Sequence, residues 1–166
     1  ATGQPTVSVF DLVAGFSSAI DRHLRESRSR SDISEIAQQA ATESLSSFCS
    51  QQANRLFDAD LQTALRGYAG QKGFGQIVQQ FFARMSRRYI DYHLSRELSN
   101  HVGAQRRFRS VAEHNQFLRE LDDHCQLATK PVNKFAREWF SLRRFQDDLT
   151  LRKTRGFTAH AIDKVR

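Results

Sequence analysis

The sequence predicts an all-α fold: a single-domain bundle of about six helices around a long central helix, residues 76–102. Three observations lead to this prediction. Apolar residues recur at helical spacing along most of the 166-residue chain. No segment rich in Val, Ile and Thr alternates with period two over the length of a strand. Only two prolines occur, Pro5 and Pro131, and each lies where a helix can begin.

The central helix is predicted between Gly75 and Gly103, because two apolar stripes run along this segment. The main stripe is mostly aromatic and consists of Val78, Phe81, Phe82, Met85, Tyr89 and Tyr92. A shorter stripe on nearly the opposite side consists of Ile90, Leu94 and Leu98. A helix that is apolar on two sides is packed on two sides, so this segment should form the centre of the fold.

Two helices are expected before the central one. The first should run over residues 7–26 and end in the polar loop 27–31. Asp32 and Glu35 form a D-x-x-E capping box, which predicts that the second helix starts there and continues to about residue 57. The piece that follows should either extend this helix beyond a bend or start a new one.

A cluster of four glycines precedes the central helix, and we predict a flexible loop that reverses the chain. Glycine-rich backbone before a helix can bind phosphate, with Lys72 as a helper. The spacing does not match a P-loop, however, and no strand precedes the cluster. The four residues are Gly67, Gly70, Gly73 and Gly75.

Three more helices are expected after the central one. Gly103 should end the central helix, and Ser110 with Glu113 forms a second capping box. Pro131 should occupy the first position of the next helix. A last helix is predicted from Gly156 onward, with an apolar face that packs back on the core. That face consists of Phe157, Ala161, Ile162 and Val165.

The formal net charge of +7 is concentrated toward the end of the chain. Residues 130–166 carry 10 Lys/Arg against 4 Asp/Glu, whereas residues 1–83 carry 7 against 8. This asymmetry predicts an anionic partner, either nucleic acid, an acidic protein surface or lipid headgroups. The candidate anion-binding residues are Arg84, Arg87, Arg88, Arg106, Arg107, Arg109, Arg143, Arg144, Arg152, Lys153 and Arg155.

Cys49 and Cys125 belong to no C-x-x-C pattern and are expected to be reduced core residues of a cytoplasmic protein. The sequence shows no signal peptide and no apolar run of the roughly 20 residues that a membrane span needs. The two E-x-x-x-H spacings, Glu97/His101 and Glu120/His124, do not match a helical metal motif, so we predict neither a metal nor a cofactor. Because the chain does not begin with Met, we expect a domain taken from a longer protein.

One repeated pattern points to catalysis: an arginine followed five positions later by a histidine, as in Arg96 and His101. In an all-α chain this pattern resembles the HEPN family. The resemblance implies RNA cleavage at a dimer interface, with His as acid or base at the ribose 2′-OH and Arg as phosphate stabiliser. The family usually has Asn, Asp or His directly after the arginine, and the three copies here have Tyr89, Glu97 and Ser110 instead. The other two copies are Arg88/His93 and Arg109/His114.

Taken together, these patterns favour a non-enzymatic binding or assembly module of a larger cytosolic protein. Its basic C-terminal half is expected to contact an anionic partner, and a homodimer is consistent with the patterns. Two alternatives stay open at this point. One is a nucleic-acid-binding domain that acts through phosphate contacts, and the other is a metal-independent HEPN-like ribonuclease that uses Arg96 and His101.

Overall fold

The computed structural model describes residues 8–53, 70–98, 108–146 and 150–165. These residues form six α-helices and, within those ranges, no β-strand, which confirms the predicted all-α bundle. The helices are α1 (Val9–Glu26), α2 (Asp32–Ala53), α3 (Gln71–Leu98), α4 (Val111–Ala128), α5 (Lys130–Phe145) and α6 (Leu151–Asp163).

Helix α3 is the centre of the bundle. It is unbroken from Gln71 to Leu98 and packs against α2, α4 and α5. The outer helices have fewer contacts: α1 packs on α2, while α6 packs on α5 and, through Phe157 and Ala161, on Phe82 of α3. The predicted central helix is therefore confirmed, while its predicted end near residue 102 and the stop at Gly103 lie outside the described residues.

The main apolar stripe of α3 supplies the floor of the core. Phe82 is buried and packs in one cluster with Val132 and Ala136 of α5 and with Phe157 and Ala161 of α6. Phe74, Val78 and Phe81 of α3 cover this cluster, together with Phe135, Trp139 and Val165. The apolar face predicted for the last helix, α6, is thus confirmed, except that Ile162 remains exposed.

The loop predicted for the glycine cluster is wrong at two of its positions. Helix α3 begins at Gln71, so Gly73 and Gly75 lie in its first two turns, and the N–H of Phe74 donates to the carbonyl of Gly70. The reason is close packing, because a Cβ at Gly75 would lie 2.5 Å from Cγ of Arg137 and 2.9 Å from the carbonyl oxygen of Asn133. Gly67 lies outside the described residues.

Two predicted helix starts also need correction. Helix α2 is capped by Ser31 and not by Asp32, because the Ser31 and Ser34 hydroxyls each accept from the backbone N–H of the other residue. Helix α6 begins at Leu151 and not at Gly156, which lies inside it in open surroundings. A helix start depends on which polar group is free to cap it, and several neighbouring residues compete for that role.

Other starts agree with the sequence. Ser8 caps α1 in a reciprocal capping box with Asp11. The helix begins at Val9, two residues after the predicted start at residue 7. Ser110 caps α4 by accepting from the N–H of Glu113 at 3.2 Å, although the Glu113 carboxylate accepts from the N–H of Arg109. Helices α4 and α5 meet at the buried Thr129, and Pro131 is the second residue of α5, one position after the predicted first position. The expected continuation of α2 beyond Ala53 lies outside the described residues.

Candidate functional site

Three of the predicted anion-binding arginines lie on one face of α3: Arg87 and Arg88 follow Arg84 by three and four residues. Arg84, Arg87 and Arg88 line an open cleft of about 670 Å³ where α2, α3 and α4 meet. Four arginines and four carboxylates surround this cleft, so its formal charge is balanced. The charged lining residues are Glu43, Arg84, Arg87, Arg88, Asp91, Arg119, Asp122 and Asp123.

The α3 arginines of this cleft are already engaged within the chain. Arg84 donates to Gln80 Oε1 at 3.1 Å and to Ser44 Oγ of α2 at 3.3 Å. Because Ser44 is fully buried, this second bond links the edge of the cleft to the α2–α3 contact.

The two neighbouring arginines are paired with carboxylates. Arg88 pairs with Glu43 and donates to Gln39 Oε1 at 2.9 Å, while Arg87 lies 3.4 Å from a carboxylate oxygen of Asp91. An anion that enters the cleft therefore competes with these internal partners. The arginines of α3 are well placed to hold α2 against α3.

A second group of basic residues lies around the junction of α5 and α6. Arg143 and Arg144 lie in the last turn of α5, and Arg143 donates to Gln146 Oε1 at 2.9 Å. The first turns of α6 carry Arg152, Lys153 and Arg155, without an acidic residue in the first turn. Positive charge at a helix N-terminus is unfavourable, because that end carries the positive pole of the helix dipole.

The remaining candidate anion-binding residues are only partly described. Arg109 lies immediately before Ser110 and is exposed at the start of α4. Arg106 and Arg107 lie outside the described residues. Apart from Arg109, the described candidates therefore lie in two groups, one in the mixed-charge cleft and one around the α5–α6 junction.

The Arg–His pairs are only partly described as well. The Arg96 side chain and the whole of His101 lie outside the described part of the chain, so this pair stays a prediction. His93 is exposed and makes edge contacts with the rings of Tyr89 and Tyr92. His114 makes an edge contact with the ring of Phe108, at 5.6 Å between ring centroids. In the described ranges no three His, Cys, Asp or Glu side chains converge on a metal position.

The surface feature that the sequence did not predict is an apolar groove between α2, α3 and α6. Its volume is about 240 Å³. Among its lining residues, only Ser86 and Tyr89 carry a polar group, and in both that group is a hydroxyl. Among the residues that the structure describes, no charged side chain lines the groove. The groove residues are Ile33, Phe82, Met85, Ser86, Tyr89, Ile162 and Val165.

Three large side chains at the rim of this groove are open to solvent. Ile33 is 52% exposed, Tyr89 41% and Ile162 42%. The sequence analysis placed Tyr89 and Ile162 on apolar faces and so predicted that these two side chains would be buried. Ile33 and Ile162 lie in the end turns of their helices, and this position near a helix end is the signal that could have indicated exposure.

Packing in the core fixes the floor of the groove, and a hydrogen bond between α3 and α2 fixes its edge. Phe82 belongs to the buried core, while Met85 is half-buried one turn further along α3. At the edge of the groove, the Tyr92 hydroxyl donates to the Asp32 carboxylate and fixes the start of α2 against α3. The groove is therefore lined by ordered helices and is not a gap between loops.

Both cysteines are buried and reduced, and burial raises the pKa of each thiol above its ordinary value. Asp122 raises the pKa of Cys125 further, whereas Arg87 lowers it. Neither thiol is suited to act as a nucleophile, because the thiolate is the reactive form.

The helices of the described residues include none that is long and apolar enough to cross a membrane. Comparison with models of protein families, with curated protein sequences and with solved structures gives no match for this chain.

Proposed function

We propose that this chain is a non-enzymatic helical binding module that recognises an apolar segment of an acidic protein partner through the groove between α2, α3 and α6. The observation that carries this proposal is the convergence of three exposed large side chains, Ile33, Tyr89 and Ile162, on one uncharged groove. Contiguous apolar surface on a folded domain is typical of an interaction site.

The size of the groove favours protein side chains over a small molecule. Pockets for drug-sized ligands typically enclose roughly 300–1,000 Å³, and this groove encloses about 240 Å³. That volume suits one or two large apolar side chains, such as those that an amphipathic helix presents at positions i and i+4. Met85 at the floor is an adaptable side chain that can adjust to different apolar partners.

The charge of the chain favours an acidic partner. Its formal net charge is +7, and the groove itself is neutral. Long-range attraction would therefore bring an acidic segment to the surface, and the apolar side chains would supply the short-range contact. The two reduced cysteines are compatible with a location in the cytoplasm, where thiols stay reduced.

A displayed library of acidic amphipathic helices, with apolar residues at i, i+4 and i+7, tests this proposal. Peptides selected on the wild-type chain should lose at least about tenfold in affinity against an Ile33→Glu/Ile162→Glu variant. The matched control is Val111→Glu/Leu127→Glu, because these side chains are at least as exposed but lie on α4. Equal affinity for both variants, or selection of no binder, would overturn the proposal.

Nucleic-acid binding is a second candidate, and the basic group at the α5–α6 junction favours it. Arg152 and Arg155 are exposed, and the described residues provide no ion pair for either of them. A phosphate close to the first turn of α6 would relieve the unfavourable positive charge at that helix end. The side chains that would grip it are arginines, which bind phosphate in bidentate fashion.

A gel shift with mixed-sequence RNA and DNA over a salt series tests this second candidate. Binding through phosphates should weaken steeply with salt, and Arg152→Ala/Arg155→Ala should flatten the slope by about two in log K against log salt. The control Arg22→Ala/Lys130→Ala removes the same charge elsewhere on the surface. Absence of binding at low salt, or an equal effect of both double variants, rejects this candidate.

A further inference from the structure

The groove between α2, α3 and α6 contains two hydroxyl groups that the fold leaves without a bond. They belong to Ser86 and Tyr89, which lie three residues apart on α3 and both line the groove. Within the part of the chain that the structure describes, neither hydroxyl donates or accepts a hydrogen bond. The other described lining side chains are apolar, so these two hydroxyls are the side-chain groups that can distinguish a polar occupant from an apolar one.

Ser86 differs from other hydroxyl residues inside the helices. The hydroxyls of Ser44 and Thr154 each donate to the backbone carbonyl four residues earlier, at 2.7 Å and 3.0 Å. Serine and threonine in the middle of a helix often make this bond. Ser86 does not make it with the carbonyl of Phe82, although both residues belong to the described part of α3. The Ser86 hydroxyl therefore keeps its donor for an occupant of the groove.

The position of Ser86 makes this donor important for binding. Ser86 is half-buried and lies between the buried Phe82 and the exposed Tyr89 along α3. An occupant that covered Ser86 with apolar atoms alone would remove water from the hydroxyl and leave it unpaired, which weakens binding. An occupant that brings a hydrogen-bond acceptor to this position avoids that loss, and a site of this kind discriminates strongly against analogues without the acceptor.

We propose that Ser86 determines the specificity of the groove by selecting a partner helix with one Asp or Glu carboxylate among its apolar contact residues, an inference that rests on the proposed function. A carboxylate only accepts hydrogen bonds, and a hydrogen bond to a charged acceptor is shorter and stronger than one between neutral groups. The net charge of +7 also favours an acidic group. Tyr89 is 41% exposed, so the carboxylate keeps part of its water and can accept from the Tyr89 hydroxyl as a second donor.

The peptides selected from the displayed library test this inference when the positions between their apolar residues are randomised. One of these positions should hold Asp or Glu in most of the selected peptides. Ser86→Ala should lower their affinity at least about fivefold, and the amide in place of that carboxylate should do the same on the wild type. Combining the two changes should cost little more than either alone, which shows that the two groups contact each other. Ser95→Ala is the matched control, because Ser95 is exposed on α3 but does not line the groove.

Urea unfolding without any peptide separates a binding role of the Ser86 hydroxyl from a structural one. The hydroxyl makes no bond within the described chain and alanine is the better helix former, so Ser86→Ala should raise the urea midpoint. The same variant should thus bind peptide less well although it is more stable. A lower urea midpoint would mean that the hydroxyl serves the fold, and it would overturn the inference.

The outcomes for the groove and for Ser86 can be told apart. Peptides that lose affinity for Ile33→Glu/Ile162→Glu but bind Ser86→Ala as well as the wild type would overturn this inference and leave the proposed function intact. Additive effects of Ser86→Ala and the amide peptide would overturn the contact with the carboxylate. Selection of no binder would overturn both the inference and the proposed function.

Discussion

At the scale of single residues, Gly75 sets how closely α3 and α5 approach each other. It is buried in the second turn of α3 and faces Asn133 and Arg137 of α5. The absence of a side chain lets the two backbones approach. The Arg137 side chain can move aside, whereas the Asn133 carbonyl oxygen belongs to the α5 backbone and can move only with the helix.

Gly75→Ala should therefore destabilise the fold by about 1–2 kcal/mol, as the strain of overpacking exceeds the gain in helix propensity. Gly156→Ala is the control, because a Cβ there meets nothing within 4 Å in the middle of α6. This second change should stabilise by up to about 1 kcal/mol. Urea unfolding of the two variants measures the difference, and equal effects at the two glycines would contradict the close approach.

The two thiols give a second prediction at this scale. Cys49 and Cys125 are buried, and burial raises their pKa values, so the native chain holds few accessible thiolates at pH 8. Iodoacetamide should label the native protein far more slowly than the protein in urea. Rapid labelling of either thiol without denaturant, followed by mass spectrometry, would show that its helix opens locally.

At the scale of helices, α1 should respond to acid before the rest of the bundle. Hydrogen bonds from the Ser8 hydroxyl and backbone lower the pKa of Asp11 below its ordinary 3.8. Arg25, and to a lesser degree Arg30, lower the pKa of Asp21 in the same way. A carboxyl group with a lowered folded-state pKa stabilises the fold above its unfolded-state value, and this contribution disappears as the pH falls through the folded-state value.

We therefore expect the NMR chemical shifts of α1 to move toward random-coil values as the pH falls below about 4, while those of α3 stay helical. Ser8→Ala should bring the pKa of Asp11 back toward 3.8, because it removes the main cause of the shift. A carboxyl-carbon titration measures this directly. Simultaneous loss of helical shifts in α1 and α3 would count against a separate response of α1.

The helices themselves could be predicted well from the sequence, and their starts less well. Periodic apolar faces, such as Val132, Ala136 and Trp139 on α5, depend only on residue type and spacing. The starts depend on local competition, as where Ser31 caps α2 although Asp32 is also a good capping residue. The glycines of α3 misled the prediction because close packing can keep a glycine inside a helix.

At the scale of the whole molecule, the apolar groove could not be predicted from the sequence. Tyr89 and Ile162 have the spacing of core residues, yet both side chains are more than 40% exposed, because exposure depends on how the helices pack and not on spacing along one helix. The charge balance of the cleft was equally hidden, because Glu43 of α2 meets Arg88 of α3 only after the two helices pack. The sequence identified the basic residues, and the packing decided which of them are paired.

The Glu43–Arg88 pair links α2 to the centre of the bundle, and its strength can be measured. Both side chains are partly exposed, at 48% and 35%, so solvent screens the pair. A double-mutant cycle with Glu43→Gln and Arg88→Met should give a coupling energy of about 0.2–1 kcal/mol. A much larger coupling would mean that the mixed-charge cleft closes over this pair in solution.

The central claim is that α3 is the core helix of the bundle, covered by α2, α4 and α5, whereas α1 is attached only at the edge. Native-state hydrogen exchange in increasing denaturant tests this claim most directly, because it ranks the helices by the free energy of their opening. The amides around Phe82 and Ala83 should exchange only when the whole bundle unfolds, and those of α1 should exchange at lower denaturant. Exchange of the Phe82 region together with α1, or before it, would contradict the account.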